Sequence, residues 1–134
     1  MKPTLLDTDT LTYFMKGHPL VVARAISYIE QNKELNINLL TQYEAMHGLL
    51  YKDARAQLPR LEELLSRYRV LPLTNESVRL SATIYADLKR QGQPLMHTDV
   101  LIAGIAMANG MQLATNNTKH FERVEGLQLV NWTL

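Results

Sequence analysis

Apolar and polar positions follow two rhythms along the chain, short strand-like runs and longer stretches at helical spacing. Thr4-Leu5-Leu6-Asp7 is an apolar run ending at an acid, which predicts a buried first strand. Residues 9–17 then read as a short helix closed by Lys16 and Gly17. Pro19, a favoured first helical residue, opens a second helix with Val22, Ala25, Ile26 and Ile29 at helical spacing. Residues 35–40 (LNINLL) alternate apolar with polar and predict the second strand. Thr41 and Glu44 match a Thr-x-x-Glu capping box, so a helix capped by Thr41 should run on through Met46, Leu49 and Leu50.

Pro59 marks a break or restart, after which Leu61, Leu64 and Leu65 give the next helix its apolar face. Residues 69–73 form a third short strand, and Thr74 caps a long helix with the stripe Val78, Ala82, Tyr85 and Leu88. Residues 91–94 make a turn. From His97 or Thr98 a helix apolar nearly all round continues through Val100, Leu101, Ile102, Ile105 and Ala106 to the stop at Asn109-Gly110. Such a helix is buried at the centre of a fold. Residues 111–115 are a fourth strand, 116–121 a polar turn and 127–130 a last strand. Strands that alternate with helices, without a tight hairpin signal, predict a parallel sheet covered on both faces. With no repeat, low-complexity tract or linker, residues 1–134 are expected to form a single domain.

Composition narrows this picture. Apolar residues make up 46% of the chain, and a chain of this length buries roughly two-thirds of its unfolded surface. The absence of cysteine excludes a disulfide scaffold and a thiolate metal site. The first residues reach Asp7 too early for a secretory apolar region, and no apolar run approaches the roughly 18 residues of a membrane span. A cytoplasmic protein without a membrane partner is expected. The net charge of +1 announces no nucleic-acid partner, so any RNA-binding surface must be local.

Three acids hold equivalent places in this layout. Asp7 ends the first strand, while Glu44 and Asp99 fall in first helical turns. The carboxyl ends of parallel strands share one edge, where ligands bind. Three carboxylates within about 5 Å repel by roughly 3 kcal/mol per pair at an effective dielectric of 20, so such a cluster requires protonation or a cation. Hard oxygen ligands favour magnesium or manganese over zinc. Taken singly, each acid is also an ordinary helix-start residue, and Asp7 is suited to cap the helix after it. Asp9 reads as the cap of the first helix or as a further ligand. Thr115 and Asn117 either support a ligand or shape a turn. His97 and His120 are general-base candidates that fit surface or turn positions better, and Lys119, His120 and Arg123 make a candidate phosphate-facing patch. Residues 52–55 and 89–90 read as solvated helix surface.

These motifs resemble a family. Leu5-Leu6-Asp7-Thr8-Asp9 resembles the opening of PIN domains, Thr41-Gln42-Tyr43-Glu44 their second motif and residues 94–103 (PLMHTDVLIA) their third. Residues 113–121 (LATNNTKHF) resemble the fourth, and motif order, length and the Asn-Thr-Lys-His-Phe run are similar to VapC toxins. The resemblance implies a Rossmann-like three-layer α/β/α sandwich whose mostly parallel sheet has four to five strands. It implies a Mg2+- or Mn2+-dependent ribonuclease that cuts RNAs of the translation machinery, forms a homodimer and is held inactive by a VapB-like antitoxin. Asp7, Glu44 and Asp99 become the metal ligands, with Thr115 and Asn117 at the supporting fourth position. Many PIN domains carry an acid where this chain has Asn117, so a second metal would be held less tightly. Two other classes compete. Asp7-Thr8-Asp9-Thr10 echoes haloacid-dehalogenase-like phosphatases, but Leu11 follows and a late paired acidic motif is missing. A PIN-fold module that binds RNA or protein without cutting is the second.

Overall fold

Why the chain makes a layered fold is visible at Leu5 and Leu6, adjacent residues of one strand that enter different cores. The computed structural model describes residues 2–134, and Met1 of the expected 1–134 domain lies outside the described residues. In chain order the elements are β1 (Thr4–Leu6), α1 (Thr8–Met15), α2 (Pro19–Asn32), β2 (Asn36–Asn38), α3 (Leu39–Tyr51) and α4 (Gln57–Arg67). They continue with β3 (Arg69–Leu71), α5 (Asn75–Arg90), α6 (His97–Ala108), β4 (Gln112–Ala114), α7 (Thr118–Phe121) and β5 (Leu129–Val130). The five strands form one sheet in the order β3-β2-β1-β4-β5, with every pair parallel. The strand order reverses at β1, so a crevice opens beyond the carboxyl ends of β1 and β4.

Leu6 and Ile37 pack on one face with Leu11 of α1, Val21, Ala25 and Tyr28 of α2 and Leu61 of α4. Leu5 and Leu113 pack on the other with Ile102, Ile105 and Ala106 of α6. A strand covered on both faces reads as a continuous apolar run, which is why Thr4-Leu5-Leu6 carries no alternation. Helix α6 has a second layer behind it, where Val100 and Ala103 meet Leu88 of α5. The expected central buried helix is therefore α6. Among the described residues no helix is long and apolar enough to cross a membrane.

Four local expectations are corrected. Helix α2 buries Val21, Ala25 and Tyr28 and leaves Ile26 half exposed, one residue out of phase with the expected stripe. Helix α3 starts three residues earlier than the Thr41 box predicts, because Asn38 is the cap and its side chain accepts from the Thr41 N–H at 2.9 Å. Both residues suit an N-cap, but Asn38 also donates to Leu6 O of β1, a long-range bond that Thr41 does not supply. Glu44 consequently sits in the second turn of α3. On α5 the buried positions are Ser77, Ser81 and Leu88, while Val78 is exposed, because close approach to α6 selects small side chains. Residues 118–121 of the expected polar turn form the short helix α7.

The register Leu5↔Asn36 between β1 and β2 is locked by side chains at the amino ends of these strands. Asn36 Nδ2 donates to Thr4 O and to Tyr28 Oη, each at 3.0 Å, and Tyr28 Oη also accepts from the Thr4 N–H. All three residues are buried. Asn36→Ala is expected to destabilise the chain by about 2–3 kcal/mol, because it removes the amide donor from a buried carbonyl and one of the two partners of a buried hydroxyl. A thermal melt matching the wild type would show that water replaces the amide.

Candidate active site

The crevice beyond β1 and β4 is lined by Asp7, Thr8, Asp9, Glu44, Asp99 and Asn117, with Ile102 and Phe121 as its apolar part. The fold thus brings Asp7, Glu44 and Asp99 to one edge from three separate segments. Asp7 follows β1, and its N–H extends the pairing with β4 by donating to Ala114 O at 3.1 Å. Its side chain is the N-cap of α1, with Oδ1 accepting from the Thr10 N–H at 2.8 Å. Asp9, expected as that cap, lies instead in the first turn of α1 and is exposed. Glu44 reaches across from α3, and its Oε1 accepts from Thr8 Oγ1 at 2.6 Å. Asp99 lies in the first turn of α6, where its Oδ2 is 3.0 Å from His120 Nε2.

Asp7 is the group most altered by this setting. It is only 5% exposed, and burial raises its pKa from 3.8 to about 6. Hydrogen bonds from the Thr115 side chain and the Thr10 N–H act in the opposite direction, while the charge of Asp9 pushes it further up. The cleft thus holds an acid whose negative charge is poorly compensated by the protein itself. Its lining includes four carboxylates and neither Lys nor Arg.

The other residues singled out from the sequence separate into two groups. Thr115 is fully buried, and its Oγ1 accepts from the Asn117 N–H at 3.0 Å, so these two shape the turn under Asp7 while Asn117 also lines the cleft. His120 belongs to the site through Asp99, with each side chain about one-quarter exposed, and this corrects its reading as a surface or turn histidine. The short helix α7 is what carries it there. His97 stacks on Tyr85 with ring centroids 4.6 Å apart. Lys119 is exposed. Arg123 donates to Pro94 O at 3.5 Å and lines a separate hollow with Asp87 and Glu125, so the expected Lys119-His120-Arg123 patch is not a single unit facing the cleft. Lys52, Asp53 and Arg55 are exposed as expected, but in the connection after α3 rather than on a helix.

Thr8 is the site residue that sequence reasoning passed over. Its signal was present, because a threonine between two acids at the end of a strand must lie among them. Among the described residues no three His, Asp or Glu side chains are arranged as they would be around a metal ion. Each of the three expected ligands has its own hydrogen-bond partner instead: Thr10 for Asp7, Thr8 for Glu44 and His120 for Asp99. The donor set nevertheless fits a hard divalent cation, since it is all oxygen, acid-rich and includes a buried carboxylate.

The chain is similar to known proteins over nearly its whole length. The PIN domain family model matches residues 4–127. Ribonuclease VapC1 of Haemophilus influenzae (strain R2866) is 32% identical over 130 residues, covering 96% of this chain and 97% of the relative. The tRNA(fMet)-specific endonuclease VapC of Shigella flexneri is 33% identical over 134 residues, with coverage of 96% and 97%. Among solved structures, the DNA-bound VapBC of Salmonella typhimurium aligns with a TM-score of 0.88 at 29% identity, over 98% of this chain and 99% of that one.

Proposed function

Because this chain belongs to the PIN-domain family, in its VapC branch, we propose that it is a metal-dependent endoribonuclease and the toxin of a toxin–antitoxin pair. The observation that carries the reading is the cleft at the reversal point of the sheet, with four carboxylates and neither Lys nor Arg in its lining. Asp7, Glu44 and Asp99 would hold Mg2+ or Mn2+, with Asp9 as a fourth carboxylate where Asn117 is neutral. A divalent cation there supplies neutralisation of phosphate charge and activation of the attacking water. The chain's own residues do the rest. Asp7 presents a carboxylate on a rigid helix start, Thr115 and Thr10 fix its orientation, and His120 holds Asp99. Lys119 and His120 on α7 remain the proposed contacts to RNA phosphates at this edge, and Arg123, in its separate hollow, is proposed as a contact farther along the RNA.

RNA of the translation machinery is the proposed substrate, and tRNA comes first because a 33% identical relative is named for cutting tRNA(fMet). A VapB-like antitoxin is the proposed inhibitor, since structural neighbours are VapBC complexes. A homodimer and a cytoplasmic location complete the reading. We take the whole chain as one PIN domain.

Purified antitoxin-free chain is expected to cut total bacterial RNA into discrete fragments in Mg2+ or Mn2+, and chelation should abolish this cleavage. Mapping the fragment ends would name the target. Metal binding without cleavage of any RNA would instead favour a binding module. Cleavage that persists in chelator would overturn the metal-dependent reading.

A further inference from the structure

Behind Glu44 lies a run of polar side chains whose hydrogen-bond directions are fixed by exclusion. Asn38 is fully buried at the junction of β2 and α3. Its Oδ1 accepts from the Thr41 N–H at 2.9 Å, a contact only the oxygen can make, so the amide orientation is settled. Asn38 Nδ2 then has two protons and two acceptors, Leu6 O at 3.2 Å and Thr41 Oγ1 at 3.1 Å. Thr41 Oγ1 lies 3.2 Å from Thr8 Oγ1, and Thr8 Oγ1 lies 2.6 Å from Glu44 Oε1.

A hydroxyl has one proton to give. Glu44 as a carboxylate only accepts, so the Thr8 proton goes to it. Thr8 must then accept from Thr41, and Thr41, having given its proton to Thr8, must accept from Asn38. One direction satisfies every group, from Asn38 through Thr41 and Thr8 to Glu44. The chain starts at Asn38, which is anchored to the β1 backbone at Leu6 O, and ends on a cleft carboxylate, and Asn38 and Thr41 at its start are fully buried. Aligned hydroxyls polarise one another, so the last bond is stronger than an isolated one.

We propose that Asn38, Thr41 and Thr8 are positioning residues that lock Glu44 as an oriented carboxylate, with Oε1 held by Thr8 and Oε2 left as the oxygen for a divalent cation. Thr41 does this without touching the cleft, through Thr8. This inference rests on the metal-site reading above, and it goes beyond that reading by naming a second layer that sets metal affinity.

Calorimetric titration of Mn2+ into the antitoxin-free full chain tests it without reference to activity. Thr41→Val keeps the shape of the side chain and deletes its hydroxyl. Outer-layer partners of metal ligands typically change affinity by about 10- to 100-fold, and Thr41→Val should weaken Mn2+ binding by at least about 10-fold. Thr41→Ser, which restores the hydroxyl, should return affinity to the wild-type range, a rescue that loss of packing alone does not predict. Thr8→Val, at a half-buried helix start, should weaken binding at least as much and carries the test if Thr41→Val fails to fold. Wild-type Mn2+ affinity in folded Thr41→Val, or in Thr8→Val, overturns the inference while leaving the metal site intact. A wild-type chain that binds no Mn2+ overturns both.

Discussion

Replacing Asp7 with Asn is expected to remove RNA cleavage and, in the same molecule, to raise the stability of the metal-free chain at neutral pH. The second half follows from linkage. The folded-state pKa of Asp7 is about 6, above the unfolded value of 3.8. Between those values the native chain binds more protons than the unfolded one, so stability falls as pH rises. The stabilising share is fully present below about pH 4 and lost above about pH 6. At about 1.4 kcal/mol per pH unit, the ionised carboxylate costs the fold about 3 kcal/mol. Asn keeps an oxygen that accepts from the Thr10 N–H and removes the charge. At pH 7.5 the variant should therefore melt on the order of 10 °C higher, and at pH 4 the two curves should converge. Added Mg2+ should raise the melting temperature of the wild type and not of the variant, because only a state that binds the ion is stabilised by it. Cleavage should fall by more than about 100-fold, beyond what loss of an outer-layer partner produces. An Asn variant that melts at or below the wild type at pH 7.5 would mean that Asp7 is compensated by the protein itself.

This trade of stability for charge also explains which parts of the molecule were legible beforehand. Asp7 and Asp99 were readable because each ends or starts an element whose type was clear, a buried apolar run and a helix apolar nearly all round. The parallel sheet then forced their meeting. Glu44 arrived at the same edge for a different local reason. The Thr-x-x-Glu pattern looked like a cap, but Asn38 bonds to Leu6 O, 32 residues away, and a bond of that range leaves no mark in local spacing. The phase of α2 and the buried face of α5 were misread for a related reason. Periodicity finds apolar stripes, whereas Ser77 and Ser81 are buried because a neighbouring helix comes close. His120 was singled out but assigned to a surface or turn, because its place depends on α7, a four-residue helix with polar residues at three of its four positions.

That close approach of α5 and α6 leaves no room for a side chain at Gly104, and it is tested there. A Cβ added there would lie 2.0 Å from Ser81 Oγ, 2.6 Å from Ser77 O and 3.2 Å from Ser81 Cβ. The serine hydroxyl can rotate, at the expense of its 3.0 Å bond to Val100 O. The Ser77 carbonyl is backbone of the neighbouring helix and cannot move without that helix. Gly104→Ala should therefore push α5 and α6 apart despite the higher helix propensity of alanine, which favours it by only about 1 kcal/mol. The net cost should be about 3 kcal/mol or more, the upper end for overpacking, and a melting temperature lower by on the order of 10 °C. Ser81→Ala in the same background should recover only part of this, because the clash with Ser77 O stays. Cleavage should drop beyond the loss of folded protein, since Asp99 rides on the first turn of α6 and a shift near 1 Å in a catalytic group costs about 100-fold. A Gly104→Ala chain that melts within 2 °C of the wild type, where about 10 °C is expected, would show that the two helices have slack.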